Sequence, residues 1–327
     1  MKIAIVGAGA LGCVYGLRLA RAEQVTLVVR DLARAPTRIF GQRVSGAADV
    51  PVTLPVSLEV PDDAEVILVT VRVEQLTDEL LDRLARTGPA LRIVVTLTPL
   101  LPQLLARASE TLGDRLVVGM PGVVAYEPEA LGSQPKEGER NIRYWTPSAS
   151  PTALEDRLPT DPLRASVLSF REALVSAGFP CEVMRNVRST NPATTIAFLP
   201  LLLSLQAAGG SIQKLLDDRA LLALGLAAGK EAQALAKTVG ELARFSSLFF
   251  SFATPFTVRA GIKLARSRAP EAIAFLEQHF GAKLRSQHDA MLTMILELAQ
   301  ARGMKMDALE RLARAALLTR SPSAPLL

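Results

Sequence analysis

The chain has 327 residues, of which 49% are hydrophobic and 21% charged, so it is long enough for two domains with buried cores. This composition excludes a disordered chain, and the two cysteines exclude a disulfide scaffold and indicate a reducing, cytoplasmic location. The net charge of +5 comes from mixed signs without a basic run, which argues against nucleic acid as a partner, and the two cysteines and two histidines lie too far apart along the chain to predict a zinc site.

The N-terminal half alternates between buried strands and helices. Short, mostly apolar runs are typical of parallel strands that are buried on both faces. The predicted strands are Lys2–Val6, Val25–Val29, Val66–Thr70, Ile93–Leu97, Leu116–Gly119, Ile142–Trp145 and Cys181–Met184. Apolar residues at helical spacing predict helices over Leu11–Ala22, Leu76–Ala85 and Pro162–Ala177. This alternation indicates a doubly wound, Rossmann-type α/β domain.

The C-terminal half has helical patterns only. The predicted helices are Ala193–Ala208, Arg219–Val239, Pro270–Phe280, Leu284–Arg302 and Asp307–Leu318. We therefore expect a dinucleotide-binding α/β domain over residues 1–187 and an all-helical domain for substrate binding and dimerisation over residues 188–327.

No segment predicts a membrane partner or a targeting signal. The most apolar later run, Ile196–Leu205, contains Pro200 and is much shorter than the ~20 residues that cross a bilayer. The N-terminal run Lys2–Val6 is too short for a signal peptide, and glycines follow it directly. We expect neither a membrane span nor a leader.

A glycine-rich turn follows the first predicted strand and opens the first predicted helix. Residues 7–12, GAGALG, have the G-x-G-x-x-G pattern. Gly7 permits a tight turn, Gly9 leaves room for a pyrophosphate, and Gly12 lets the helix pack close to the strand. The start of the helix also offers N–H groups to phosphates. The residues expected to bind a dinucleotide here are Gly7, Gly9, Ala10, Leu11 and Gly12.

The residue after the second strand distinguishes NADP from NAD. NAD sites place an acidic residue there to bind the ribose 2′-OH. Here the strand is followed by Arg30, whose guanidinium suits a 2′-phosphate, and Arg34 or Arg38 could assist. Asp31 comes next and leaves NAD as the alternative. We expect NADP.

Further cofactor contacts are expected after the third and fourth predicted strands. Ligands bind at the carboxyl ends of parallel strands in such sheets. Val71 and Arg72 follow the third strand, and Thr98 follows the fourth. The alternative for Arg72 is an arginine that is merely exposed on the surface.

These features together resemble the ketopantoate reductase family. The resemblance lies in residues 7–12, Arg30, residues 70–72, His279, Phe280 and Gln287, and in the helical second half. It implies that the protein binds NADPH and reduces a 2-oxo acid to a 2-hydroxy acid between its two domains. It also implies a homodimer, for which helices rich in Leu and Ala, such as Leu215–Ala236, offer a surface.

The family's catalytic residues are substituted at the matching positions. Its catalytic lysine corresponds to Thr194, and two asparagines on the same helix correspond to Phe198 and Leu202. No lysine lies between Lys136 and Lys214. The resemblance therefore implies a pocket more apolar than one for a small polar acid. The other departures are Arg72 for a lysine, Leu97–Leu100 for an Asn-Gly pair, and Gln287 for a late glutamate.

Reduction of a carbonyl needs a proton donor beside its oxygen, and a lysine also neutralises the developing alkoxide. A threonine can hydrogen-bond the oxygen but is too weak an acid to protonate it efficiently. Lys283, or His288 with its neighbour Asp289, could substitute, although adjacent helical residues do not face each other. Both could instead lie on a solvated helical face, and His279 is expected to be structural. The candidate catalytic residues are Thr194, Lys283, Gln287 and His288.

Three functions fit these observations. The first, which we expect, is an NADP(H)-dependent oxidoreductase that reduces a small-molecule 2-oxo acid or a bulkier, more apolar carbonyl or imine. The second is a diverged relative that binds NADP(H) or a small ligand without reductase activity, as a sensor, a partner subunit or a repurposed non-redox enzyme. The third is an opine-dehydrogenase-like enzyme that uses His288 and Asp289. Fold alone does not distinguish them.

Overall fold

The computed structural model describes residues 1–44, 46–128, 138–147, 150–242, 253–268, 270–279 and 285–318. The chain forms two compact units, Met1–Asn191 and Pro192–Leu327. Within the described ranges, every strand belongs to the first unit, and the second unit is helical. The expected order, an α/β part followed by a helical part, is confirmed.

The first unit contains the strands β1 (Lys2–Val6), β2 (Gln24–Val28), β3 (Arg38–Arg43), β4 (Val56–Ser57), β5 (Val66–Val69), β6 (Ile93–Thr96), β7 (Leu116–Met120), β8 (Val124–Tyr126), β9 (Glu139–Trp145), β10 (Thr152–Glu155) and β11 (Cys181–Met184). Its helices are α1 (Ala10–Leu19), α2 (Asp78–Ala85), α3 (Pro102–Leu112) and α4 (Arg164–Ser176). A further helix, α5 (Val187–Ala207), begins in this unit and continues into the second.

The main sheet has eight strands in the order β11-β10-β7-β6-β5-β1-β2-β4. Neighbouring strands from β7 to β4 run parallel, and β10 pairs antiparallel with β7. Val6 at the end of β1 is in register with Val28 of β2 and Val69 of β5. The carboxyl ends of these strands therefore lie at one edge. β2 lies on one side of β1 and β5 on the other, so the strand order reverses at β1. Such a topological switch point is where ligands bind in open α/β sheets.

The core of this unit follows from its apolar strands. Every residue of β5 and β6 is buried, as expected for strands covered on both faces. On α1 the ring of Tyr15 packs 4.7 Å from that of Phe179, and its hydroxyl lies 3.0 Å from Thr152 Oγ1. Because this buried hydroxyl is hydrogen-bonded, Tyr15 can fill the core without an unsatisfied polar group.

A second sheet, β3-β9-β8, was only partly predicted. β3 pairs parallel with β9 from Arg38 with Glu139 to Arg43 with Tyr144. The sequence of β3, RIFGQR, buries only Ile39 and Gly41 and therefore lacks the continuous buried apolar run of the main sheet. The sequence patterns also miss β4, β8, β10 and α3.

The second unit contains α6 (Ile212–Asp217), α7 (Arg219–Val239), α8 (Pro255–Arg268), α9 (Pro270–His279), α10 (Arg285–Ala301) and α11 (Asp307–Leu318). The predictions for α7 and α11 are exact, and α6 and α8 were missed. α11 packs on α7, where the carboxylate of Glu231 accepts hydrogen bonds of 3.0 Å from the backbone N–H groups of Ala308 and Leu309. This carboxylate caps the N-terminus of α11. Within the described ranges, no helix combines the length and apolarity that a membrane span requires.

Candidate functional site

The glycine turn after β1 has a backbone that favours glycine. Gly7 has φ +108°, in the left-handed region, and its N–H donates to the carbonyl oxygen of Val28 over 3.1 Å. A Cβ on Gly12 would overlap the carbonyl oxygen of Gly7, so glycine is required for α1 to approach the turn this closely. The fold of the turn therefore requires glycine at positions 7 and 12.

Gly9 differs, because a Cβ placed there would meet no atom within 4 Å. The first hydrogen bond of α1 runs from the Cys13 N–H to the Gly9 carbonyl oxygen over 2.9 Å. The N–H groups of Ala10, Leu11 and Gly12 therefore have no partner within the helix. No acidic residue lies in the first turn of α1. Open space, free N–H groups and the positive end of the helix dipole together fit a phosphate group.

After β2, the two residues that were weighed for cofactor choice, Arg30 and Asp31, have different surroundings. Asp31 accepts a hydrogen bond of 2.9 Å from the Ala33 N–H and lies 3.7 Å from the Arg34 guanidinium. Arg30 is exposed and has no ion-pair partner among the described residues. Arg38 lies over the ring of Phe40, 5.1 Å from its centroid. The carboxylate is thus already used in a local turn, whereas the guanidinium of Arg30 is not.

Val71 and Thr98 lie together at the carboxyl edge of the main sheet. The Thr98 hydroxyl donates to the carbonyl oxygen of Val71 over 2.7 Å. The position of a Cβ on Gly7 would lie 3.0 Å from Val71 Cγ1, so this segment borders the glycine turn. Arg72 follows, and its Nε lies 3.4 Å from the Glu74 carboxylate. The predicted residues after β1, β5 and β6 are therefore brought to one edge.

Two polar residues at this edge were not predicted. The Thr70 hydroxyl donates towards the carbonyl oxygens of Gly7 and Val6, at 2.9 and 3.2 Å. The Asn191 side chain, only 2% exposed, accepts from the Leu100 N–H over 2.9 Å and donates to the Gly119 carbonyl oxygen over 2.8 Å. Thr70 is the last residue of the third predicted strand. A polar residue at the end of this apolar run was the signal that could have identified it.

The described candidate catalytic residues lie on two helices, α5 and α10. Thr194 lies on α5, and its hydroxyl is buried without a hydrogen-bond partner among the described residues. Gln287 is half-buried on α10. Lys283 lies outside the described residues. Phe198 and Leu202, which stand where the family has asparagines, are half-buried on α5.

His288 has the environment of a core residue. Its side chain is 0% exposed, and Nδ1 lies 3.2 Å from Gln206 Oε1. Burial lowers its pKa from 6.5 to about 4. At neutral pH the imidazole is therefore uncharged, which makes it a poor proton donor. His279 stacks on Phe275 at 6.2 Å between ring centroids.

The described residues contain no group of three His, Cys, Asp or Glu side chains that could hold a metal ion. Cys13 and Cys181 are buried and unpaired, and burial raises the pKa of each thiol to about 12. Neither thiol is therefore activated as a nucleophile.

A family comparison agrees with the resemblance expected from the sequence. Residues 3–98 match the family model described as ketopantoate reductase PanE/ApbA. The matched segment contains the glycine turn, Arg30, Arg72 and Thr98. The resemblance is therefore confirmed over this segment. No curated protein matches the sequence.

Solved structures share the fold over nearly the whole chain. A 2-dehydropantoate 2-reductase from Geobacter metallireducens is 17% identical, with a TM-score of 0.65 over 98% of this chain and 100% of that one. A ketopantoate reductase from Staphylococcus aureus, described as dimeric, is 12% identical, with a TM-score of 0.64 over 97% and 98%. D-mandelate dehydrogenase, solved with NADH and anilino(oxo)acetate, is 16% identical, with a TM-score of 0.63 over 97% and 98%. At these identities the likeness shows the fold.

Proposed function

We propose that this protein is an NADP(H)-dependent oxidoreductase that reduces a 2-oxo acid or a bulkier, more apolar carbonyl or imine compound. The observation that carries this proposal is the open space at Gly9 beside the unused N–H groups of Ala10, Leu11 and Gly12. This is the arrangement that a pyrophosphate needs. The match of residues 3–98 to the ketopantoate reductase family supports the same cofactor class.

Two observations support NADP over NAD. The Asp31 carboxylate, which would bind a ribose 2′-OH, is used by the Ala33 N–H and by Arg34. Arg30 is exposed one residue before it, and its guanidinium matches a phosphate in charge and geometry. D-mandelate dehydrogenase of similar fold was solved with NADH, so NADH is the alternative that the experiment must separate.

Bound NADPH would supply the hydride, and the chain must supply the rest of the chemistry. In our proposal the Thr194 hydroxyl orients the substrate oxygen, and the apolar side chains of Phe198 and Leu202 favour a bulky substrate. Lys283 and Gln287 are the candidate proton donor and substrate ligand on the later segment. We give His288 no role in proton transfer, because it is buried and uncharged at neutral pH.

The substituted positions favour one alternative, a relative that binds NADP(H) without reducing a substrate. Thr194 stands where the family has a lysine, and no lysine lies between residues 136 and 214. An assay of NADPH oxidation with a panel of aliphatic, branched and aryl 2-oxo acids and imines distinguishes the two functions. We expect turnover with a bulky member of the panel. NADPH binding without turnover on any member would instead support the alternative.

Replacing Arg30 tests the cofactor preference. In Arg30→Ala the affinity for NADPH should fall by about tenfold or more, because one charged hydrogen-bonding partner of the 2′-phosphate is lost, while the affinity for NADH changes little. Isothermal titration calorimetry with both cofactors measures the two effects. Arg92→Ala is the matched control, because Arg92 is an exposed arginine before the amino end of β6. Equal losses for NADPH and NADH in Arg30→Ala would refute the assignment of NADP.

We also propose that the protein is a cytoplasmic homodimer. The buried, unpaired Cys13 and Cys181 are compatible with a reducing compartment. A reductase of similar fold is described as dimeric. Sedimentation equilibrium of the whole chain would give its mass in solution.

A further inference from the structure

Three side chains hold the loops at the carboxyl edge of the main sheet by hydrogen bonds to backbone groups. Thr70, after β5, donates to the Gly7 carbonyl oxygen in the glycine turn. Thr98, after β6, donates to the Val71 carbonyl oxygen in the loop after β5. Asn191 bonds the Leu100 N–H in the loop after β6 and the Gly119 carbonyl oxygen in β7. Together these bonds link the glycine turn, the loops after β5 and β6, α5 and β7.

These bonds matter because the loops lie beyond the regular pairing of the strands. The register of β5 with β6 ends at Val69 and Thr96, and the backbone pairing extends only one residue further, through the N–H groups of Thr70 and Leu97. Buried backbone groups beyond it need partners from elsewhere. Leu100 is 0% exposed, so its N–H cannot use water, and the Asn191 amide provides the acceptor. Asn191 thereby sets the position of the loop that carries Thr98.

The same bonds reach the glycine turn itself. A Cβ on Gly12 would lie 2.7 Å from Thr70 Oγ1, so the Thr70 hydroxyl fills the contact between α1 and the glycine turn. Val71 Cγ1 borders Gly7, and the Val71 carbonyl is the acceptor for Thr98. Movement of the loop after β6 would therefore be passed to the loop after β5 and from there to the glycine turn.

We propose that Thr70, Thr98 and Asn191 are positioning residues that hold the loops after β5 and β6 against the glycine turn in the geometry that binds the dinucleotide. This inference rests on the proposed function, because it assigns the edge to NADP(H). It gives Thr98 a role through its neighbour: its hydroxyl proton is used on the Val71 carbonyl, so its effect on the cofactor comes from the placement of residues 70–72. It gives Asn191 the same role through Leu100.

Thr98 offers a matched pair of substitutions. Thr98→Val keeps the shape of the side chain and removes the hydroxyl, whereas Thr98→Ser keeps the hydroxyl. We expect Thr98→Val to weaken NADPH binding by about tenfold, since small displacements of a binding group have large effects, and Thr98→Ser to stay within about threefold of the wild type. Calorimetric titration with NADPH measures this difference. Equal affinities of the Val and Ser variants would overturn the role of the hydroxyl.

Asn191→Ala tests the side chain that bonds the loop after β6. We expect weaker NADPH binding and, without any cofactor, faster hydrogen exchange at the Leu100 amide, because its acceptor is removed. Tyr144→Phe is the control, because it removes a different buried hydrogen bond of the same unit, from the Tyr144 hydroxyl to Asp49 Oδ2 over 2.6 Å. This control should keep the wild-type affinity for NADPH. A loss of affinity as large in Tyr144→Phe as in Asn191→Ala would reduce the effect to general destabilisation and overturn the proposal.

The outcomes separate this inference from the function on which it rests. If wild-type protein does not bind NADPH, the proposed function fails and the assignment of positioning residues to it fails too. If wild-type protein binds NADPH and both Thr98→Val and Asn191→Ala bind it equally well, the function stands and this inference is overturned. If Leu100 exchanges at the wild-type rate in Asn191→Ala, the structural premise itself is wrong. Thr70→Val compared with Thr70→Ser repeats the test beside the glycine turn.

Discussion

At the scale of single residues, the three glycines of the turn have different tasks. Gly7 adopts φ +108°, and Gly12 allows α1 to approach the Gly7 carbonyl, so both serve the fold. Gly9 meets no such demand and leaves open space in front of the helix N-terminus. The sequence pattern predicted the tasks of Gly7 and Gly12, because each follows from the absence of a Cβ at a known position of a strand–turn–helix unit, and the task of Gly9 at a pyrophosphate stays a prediction.

The sequence could not predict the setting of His288. Spacing suggested a candidate acid on a helix, but a single helix does not reveal which face another helix covers. The Gln206 amide that meets His288 lies 82 residues earlier in the chain. Burial and this contact make His288 a group that affects the pH dependence of stability.

His288 should make the protein less stable as pH falls from about 6.5 to about 4. The unfolded chain takes up a proton near pH 6.5, but the buried imidazole does so only near pH 4, so acid favours unfolding in this window. Its contribution is fully present above pH 6.5, and up to about 3 kcal/mol is lost by pH 4. Urea unfolding at several pH values should show a smaller slope for His288→Gln than for the wild type. Identical slopes for His288→Gln and the wild type would contradict the assignment.

At the scale of elements, α1 is joined to the smaller sheet by a buried polar cluster. Asp49, whose side chain is 5% exposed, accepts from Arg18 Nη1 over 2.9 Å and from the Tyr144 hydroxyl over 2.6 Å. Arg18 also donates from Nε to the Ala177 carbonyl oxygen over 2.7 Å. Burial and the hydrogen bond to Asp49 raise the pKa of Tyr144 to about 12, so the phenol remains a donor at neutral pH. The cluster connects α1, the loop before β4, and β9.

Asp49→Ala should destabilise the first unit by about 3 kcal/mol, because it leaves the Arg18 guanidinium and the Tyr144 hydroxyl without their shared acceptor. The free energy of unfolding, measured in urea, gives the size of the effect. Asp63→Ala is the control, because Asp63 forms only an exposed ion pair with Lys2, and no measurable change is expected there. An Asp49→Ala protein as stable as the Asp63→Ala control would show that the cluster does not hold these elements together.

The elements that the sequence predicted well are those with a strong local signal. β1, β5 and β6 are apolar runs, and α7 and α11 have clear helical periodicity. β3 was missed because its apolar residues are only Ile39–Gly41, between polar residues at both ends, and its partner β9 lies about 100 residues later. α5 was predicted to begin at Ala193, after Pro192, but it begins at Val187 and contains that proline. Long-range pairing decided β3, and local patterns do not contain it.

At the scale of the whole molecule, the order of an α/β part and a helical part was predictable, because strand patterns end near residue 185. The edge at which the candidate cofactor residues meet was predictable as well, since register brings the ends of parallel strands together. The candidate substrate residues stay predictions, because they come from segments far apart in sequence, and Lys283 lies outside the described residues. Asn191 shows the same limit: its partners, Leu100 and Gly119, are at least 72 residues away.

The central claim is that the turn after β1 binds the pyrophosphate of NADP(H). Titration of NADPH into the wild type and into Gly9→Ala tests it most directly, because a Cβ at Gly9 meets no protein atom and should leave the fold intact. We expect saturable binding of one NADPH per chain to the wild type, and a loss of at least about tenfold in Gly9→Ala at unchanged stability, since the methyl group occupies the space for the phosphate. Absence of binding to the wild type, or equal affinity in a folded Gly9→Ala protein, would contradict the account.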